Sequence, residues 1–164
     1  MKRKIFGILM ASTLLFAVGC EKKNEEKKDE DKTPKIICTS SEESEGIKSS
    51  ATTTITVRDD KKYVKEYVSE IKMVVDNESM YNLYKEAMNE EELDKDEDVE
   101  YTYKFDDANK TIYTTLKVSL TDKQIEEASE EEKVEMEAKS LIERAEKSGV
   151  KCDFKNITRG DLGL

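Results

Sequence analysis

Three cysteines, at positions 20, 38 and 152, stand in a chain of 164 residues that has no histidine. A thiol can carry a lipid, pair in a disulfide, ligate a soft metal or act as a nucleophile. Context separates these uses. Cys20 ends the apolar run "LLFAVGC", and the charged run "EKKNEEKKDEDKTPK" follows at once. Cys38 and Cys152 bracket the rest of the chain. Two cysteines without histidine are too few soft ligands for a structural metal site. The missing imidazole also removes Cys-His and Ser-His catalysis. Six glycines build no phosphate-cradling motif. With 38 acids, a carboxylate pair for glycoside hydrolysis arises by chance and carries no signal. No enzymatic activity and no cofactor are expected.

Other residues suggest weaker chemistry. "DKDEDVE" places Asp94, Asp96 and Asp98 at the first, third and fifth positions of a calcium loop. The sixth position should be Gly and is Val99, and the twelfth should be Glu and is Phe105, so an EF-hand fails. Tyr101, Tyr103 and Tyr113 sit in alternating segments and offer a speculative stacking surface for a sugar or peptide. Half-buried sheet filler is the plainer reading of such tyrosines. Arg159-Gly160-Asp161 resembles an integrin-binding tripeptide on a tail expected to be flexible. A match this short also arises by chance.

The N-terminus explains Cys20. Lys2, Arg3 and Lys4 precede an uncharged, mostly apolar stretch of 14 residues, Ile5 to Val18. A bilayer span needs about 20 residues, so the stretch fits an export signal. Ala17-Val18-Gly19-Cys20 resembles a bacterial lipobox, although Leu is usual where Ala17 stands. The resemblance implies cleavage before Cys20 and a diacylglycerol on its thiol. An ordinary secretory signal, leaving Cys20 as a free thiol, is the alternative. The expected organisation is a signal peptide at 1–19, a charged disordered tether at 20–35, one domain at 36–155 and a flexible tail at 156–164. Residues 21–35 contain no apolar side chain but Pro34 and cannot offset the entropy of folding. Localisation is expected to be extracytoplasmic, with the membrane as partner through lipid on Cys20.

The net charge is −10. Removing residues 1–19 takes away three positive charges and no negative ones, which leaves −13. Nucleic acid and other polyanions are therefore not expected partners. In an oxidising compartment the remaining even pair, Cys38 and Cys152, is expected to form one disulfide. Two separate thiols are the alternative.

The domain must position these residues. "ATTTITVR" (51–58) is β-branched and reads as a strand. "YVKEYVSEIKMVV" (63–75) fits helix or strand, and the preceding "DDKK" turn favours a strand paired to the first. In "DNESMYNLYKEAMNEEEL", Asp76 or Asn77 caps a helix with Met80, Leu83, Tyr84, Ala87 and Met88 on one face. "VEYTYKF" and "TIYTTLKVSL" alternate around "DDANK" and predict a hairpin. Thr121 with Gln124, and Ser129 with Glu132, offer two capping boxes. The late helical region ends at Gly149, before the short strand "VKCDF". The expected fold is α+β: an antiparallel sheet of two hairpins and a short C-terminal strand, covered by two main helices.

This layout resembles the YehR-like small bacterial lipoproteins, a family of unknown function. The residues that carry it are "TTTITVRDDKKYVKE", "VEYTYKF…TIYTTLKV" and "AKSLIERAEKSGVKCDF", and the resemblance covers roughly residues 36 to 155. It implies a Gram-positive envelope setting, an early cysteine paired with a late one, and no catalytic residues. The expected function is a non-enzymatic binding module for an envelope protein or component. A small-ligand or cation binder is the alternative.

Overall fold

The computed structural model describes residues 32–90 and 98–164. Six strands run in chain order: β1 (Lys35–Ser44), β2 (Ile47–Val57), β3 (Val64–Val75), β4 (Val99–Asp106), β5 (Thr111–Ser119) and β6 (Lys151–Lys155). They form one sheet in the order β4-β5-β3-β2-β1-β6, with every neighbouring pair antiparallel. The helices are α1 (Glu78–Glu90), α2 (Asp122–Glu127), α3 (Glu130–Met136) and α4 (Ala138–Lys147). The architecture is α+β, as expected.

Strand β1 lies before the first strand read from the sequence. Its hairpin with β2 turns on Glu45 and Gly46, both at positive φ (44° and 82°). Two such residues in succession give a turn whose twist matches the strands it joins. The ambiguous segment 63–75 is β3, paired along its length with β2 on one side and β5 on the other. Three hairpins therefore build the sheet, and β6 adds to its edge beside β1.

The late helical region is three helices. Both capping boxes form: Thr121 with Gln124 opens α2, and Ser129 with Glu132 opens α3. The break before α4 falls at Glu137, which bridges to Tyr63, while the Ala138 amide donates to the Lys62 carbonyl at 3.0 Å. That cross-link to the β2–β3 turn competes with continuous helix. Asn77, rather than Asp76, caps α1 by accepting from the Met80 amide at 3.1 Å.

Strand register assigns every side chain to a face. Ile36, Ile55, Tyr67 and Val118 fall in one row on the first face. Helix α4 packs here, placing Leu141, Ile142 and Ala145 in the same buried cluster. At the other end of that face, α1 buries Tyr81 with Val75 and Ile112. Met80, Tyr84 and Met88 of the expected stripe pack against this cluster, but Tyr81, 2% exposed, takes the buried position and Leu83 is 65% exposed. No described element crosses the second face, and its side chains enter neither buried cluster.

The flexible tail expected at 156–164 is instead packed. Ile157 and Leu162 join the main core, and a 3₁₀ turn runs from Gly160 to Leu162. Two apolar anchors within six residues hold the segment down.

Candidate functional site

The second face is mostly hydroxyls and charges, with Ile37, Val68 and Val74 among them. One row across it reads Thr39, Thr52, Glu70, Thr115, Thr102; the next reads Ser41, Ser50, Lys72, Tyr113, Lys104. Neighbouring strands are about 4.8 Å apart, so Lys72 and Lys104 flank Tyr113 directly. Tyr113 is 38% exposed. Residues Thr102 to Asp106 of β4, Asp107 of the following turn, Tyr113 and Thr115 line an open depression of about 620 Å³.

The polar groups of this depression divide in two. Its acids are engaged. Asp106 accepts from the Asn109 amide at 3.2 Å and from its side chain at 2.8 Å. Asp107 accepts from the Tyr81 hydroxyl at 2.7 Å and from Lys85 Nζ at 2.6 Å. The side chains of Asn109 and Lys85 hold these carboxyls below their ordinary range. By contrast, Lys104, Tyr113, Thr102 and Thr115 of its lining, and Lys72 beside Tyr113 on β3, have no side-chain partner among the described residues. Donors and an aromatic ring are left available.

The face differs in charge from the rest of the domain. Register places seven lysines and six acids on it. Residues 122–147, which supply the helices of the other side, carry ten acids and five bases. The open face is nearly balanced in a strongly acidic chain.

Tyr81 is the most perturbed phenol, pushed up to about 12 by burial first and by its bond to Asp107 second. It remains protonated near neutrality and ties α1 to the β4–β5 turn. It is not a base.

The expected site residues disperse. Tyr101 and Tyr103 lie on the helix-covered face, with Tyr101 packed against the core, whereas Tyr113 points to the open face. One platform of three tyrosines therefore cannot form, because Tyr113 pairs with Lys104 and stands one residue out of phase with the other two. The Cys38 and Cys152 sulfurs are 2.08 Å apart, at disulfide distance, and the two residues are directly paired between β1 and β6. Cys20 lies outside the described residues.

Asp94 and Asp96 also lie outside the described residues. Asp98 accepts from Gln124 Nε2 at 2.5 Å, and Val99 is buried at the start of β4. A strand residue at the sixth position is incompatible with a calcium loop. Among the described residues, no group of three acids or cysteines is placed to hold a metal. The Arg159-Gly160-Asp161 charges are occupied internally. Arg159 pairs with Glu146 at 2.5 and 3.0 Å, and Asp161 accepts from Lys61 at 2.7 Å. The tripeptide belongs to the packed C-terminal turn.

Sequence reasoning missed Lys72 and Lys104. Their placement beside Tyr113 depends on the long-range pairing of β3 with β5, which has no local signal. Among the described residues, no helix is long and apolar enough to cross a membrane. No family model matches the chain, and no curated protein or solved structure matches it.

Proposed function

We propose that this chain is a lipid-anchored extracytoplasmic protein that binds a cell-envelope component, without catalysis, through the open face of its sheet. The observation that carries the reading is this exposed face, with Tyr113 and its two flanking lysines lacking a side-chain partner among the described residues. The lipobox-like Ala17-Val18-Gly19-Cys20 supports the anchor. A cysteine pair at disulfide distance suits an oxidising compartment. The YehR-like layout belongs to the same proposal.

The anchor and the face fit together geometrically. The described chain enters the sheet at Lys35, and the row containing Tyr113 crosses β1 at Ser41. Six residues of strand place that row about 20 Å from the entry point. A tether at 20–35 would hold the site on the outward half of the domain.

The rival small-ligand reading wants an enclosed cavity of a few hundred Å³. The cavity beneath α4, between Cys38, Ile55, Tyr67 and Leu141, holds about 20 Å³. That is room for about one water. The larger depression is open and suits a surface partner.

Cys20→Ala tests the anchor. The unprocessed precursor is expected to accumulate, and the mature, lipid-bearing mass starting at Cys20 to disappear. Normal membrane-bound maturation of the variant would overturn the lipoprotein reading.

A further inference from the structure

We infer that the partner of the open face is an uncharged or weakly charged glycan, seated in the depression over Tyr113. This rests on the open-face reading above and adds the chemical class of the occupant.

Three observations select a glycan. The first is an exposed aromatic ring in an open trough. A tyrosine face packs against the C–H side of a sugar ring, and one end of the phenol stays wet. The second is the hydrogen-bonding inventory around that ring. Lys72 and Lys104 supply ammonium donors, and Thr102 and Thr115 supply hydroxyls that both donate and accept. None of them has a side-chain partner among the described residues. Sugar hydroxyls need this mixture, because each donates and accepts at once. The third is charge. A polyanion would meet the repulsion of an acidic chain, and the acids Asp106 and Asp107 line the same depression. A polycation would meet Lys72 and Lys104. The near balance of the face leaves an uncharged polymer as the best match.

The shape agrees. The depression of about 620 Å³ opens along β4 at the margin of the sheet. A chain-like ligand can enter and leave such a trough without any part of the domain moving. An acidic peptide would use the lysines but leave the hydroxyl row unused.

The test is co-sedimentation of the full-length mature chain with peptidoglycan sacculi stripped of anionic polymers. Poly-glutamate is the acidic-peptide probe. The wild type is expected to sediment with the sacculi, and to change less than about twofold between low and high salt, since few ions are released. Tyr113→Ala is expected to lose at least about tenfold in affinity, the scale of one lost aromatic contact. Tyr113→Phe should retain most binding, because the ring face remains. Lys104→Gln should fall between them. Thr54→Ala, on the same face but outside the depression, should bind as wild type. Thermal melting of each variant checks that it is folded.

Sacculus binding that is unaffected by Tyr113→Ala would overturn the site. Absence of sacculus binding would overturn the glycan. If poly-glutamate then binds through Lys72 and Lys104, the open-face reading survives with an acidic protein as partner. If neither probe binds, and a photo-crosslinker at 113 captures nothing in cells while one at Leu83 does, the open-face reading fails with it.

Discussion

The two faces of one sheet obey different rules. The covered face holds Ile36, Cys38, Ile55, Tyr67 and Val118, all buried, with Cys152 and Tyr101 partly buried against them. The open face carries threonines, lysines and acids from the same strands, one residue out of phase. Because side chains alternate, each strand turns one set of residues to the helices and the other to the open face, where we propose recognition occurs. Substitutions on the two faces should therefore separate: large losses of stability on one, small losses of stability with loss of binding on the other.

The largest effect is expected from the cysteine pair. A bridge between Cys38 and Cys152 closes a separation of 114 residues. Removing such a loop constraint costs about 4 to 5 kcal/mol in the chain-entropy description. Denaturant midpoints with and without reductant measure it, and equal midpoints would remove the bridge from the account. Next comes the core beneath α4. Ile142 is fully buried, and Ile142→Ala should cost about 2 to 5 kcal/mol through lost burial and the cavity left behind. A loss below about 1 kcal/mol would mean that α4 is a loose cover.

Smaller effects test the margins of the covered face. Ser129→Ala removes a side-chain cap from α3 and should cost about 1 kcal/mol. Asp161 offers a pH test. Its bond with Lys61, then its bonds with Thr158, lower the carboxyl from 3.8 to about 2. A lowered carboxyl stabilises the fold above its unfolded value and loses that contribution as pH falls through the folded value. Wild type should therefore melt above Asp161→Asn at about pH 5, and the difference should close between about pH 4 and pH 2. A gap that persists at the acid end would mean the asparagine disturbs packing instead. The smallest stability effect belongs to the open face. Thr52→Ala should stay within about 0.5 kcal/mol of wild type. A larger loss would show that this face is structural too.

Much of the covered face was legible in the sequence. Alternation in "VEYTYKF" and "TIYTTLKVSL" marked β4 and β5, and both capping boxes stood at their helix starts. The polar second half of β1, "TSSEES", hid that strand, because none of it is buried and its strand state comes from pairing with β2 rather than from its own composition. The stripe on α1 was legible in part: Met80, Tyr84 and Met88 pack as spaced, but the sheet surface takes Tyr81 rather than Leu83. The tail looked loose because Ile157 and Leu162 are isolated apolar residues in a polar stretch. The candidate site was half legible. Three tyrosines drew attention, but only pairing across β3, β5 and β4 shows that Tyr113 alone reaches the open face and gains Lys72 and Lys104 as neighbours.

The most direct test of the central claim is site-specific photo-crosslinking in living cells. One crosslinker replaces Tyr113 on the open face, and another replaces Leu83, the exposed apolar residue on α1. Envelope adducts are expected from position 113 and none from position 83. Adducts from position 83 with none from position 113 would contradict the open-face reading, and would move the binding surface from the sheet to the helix.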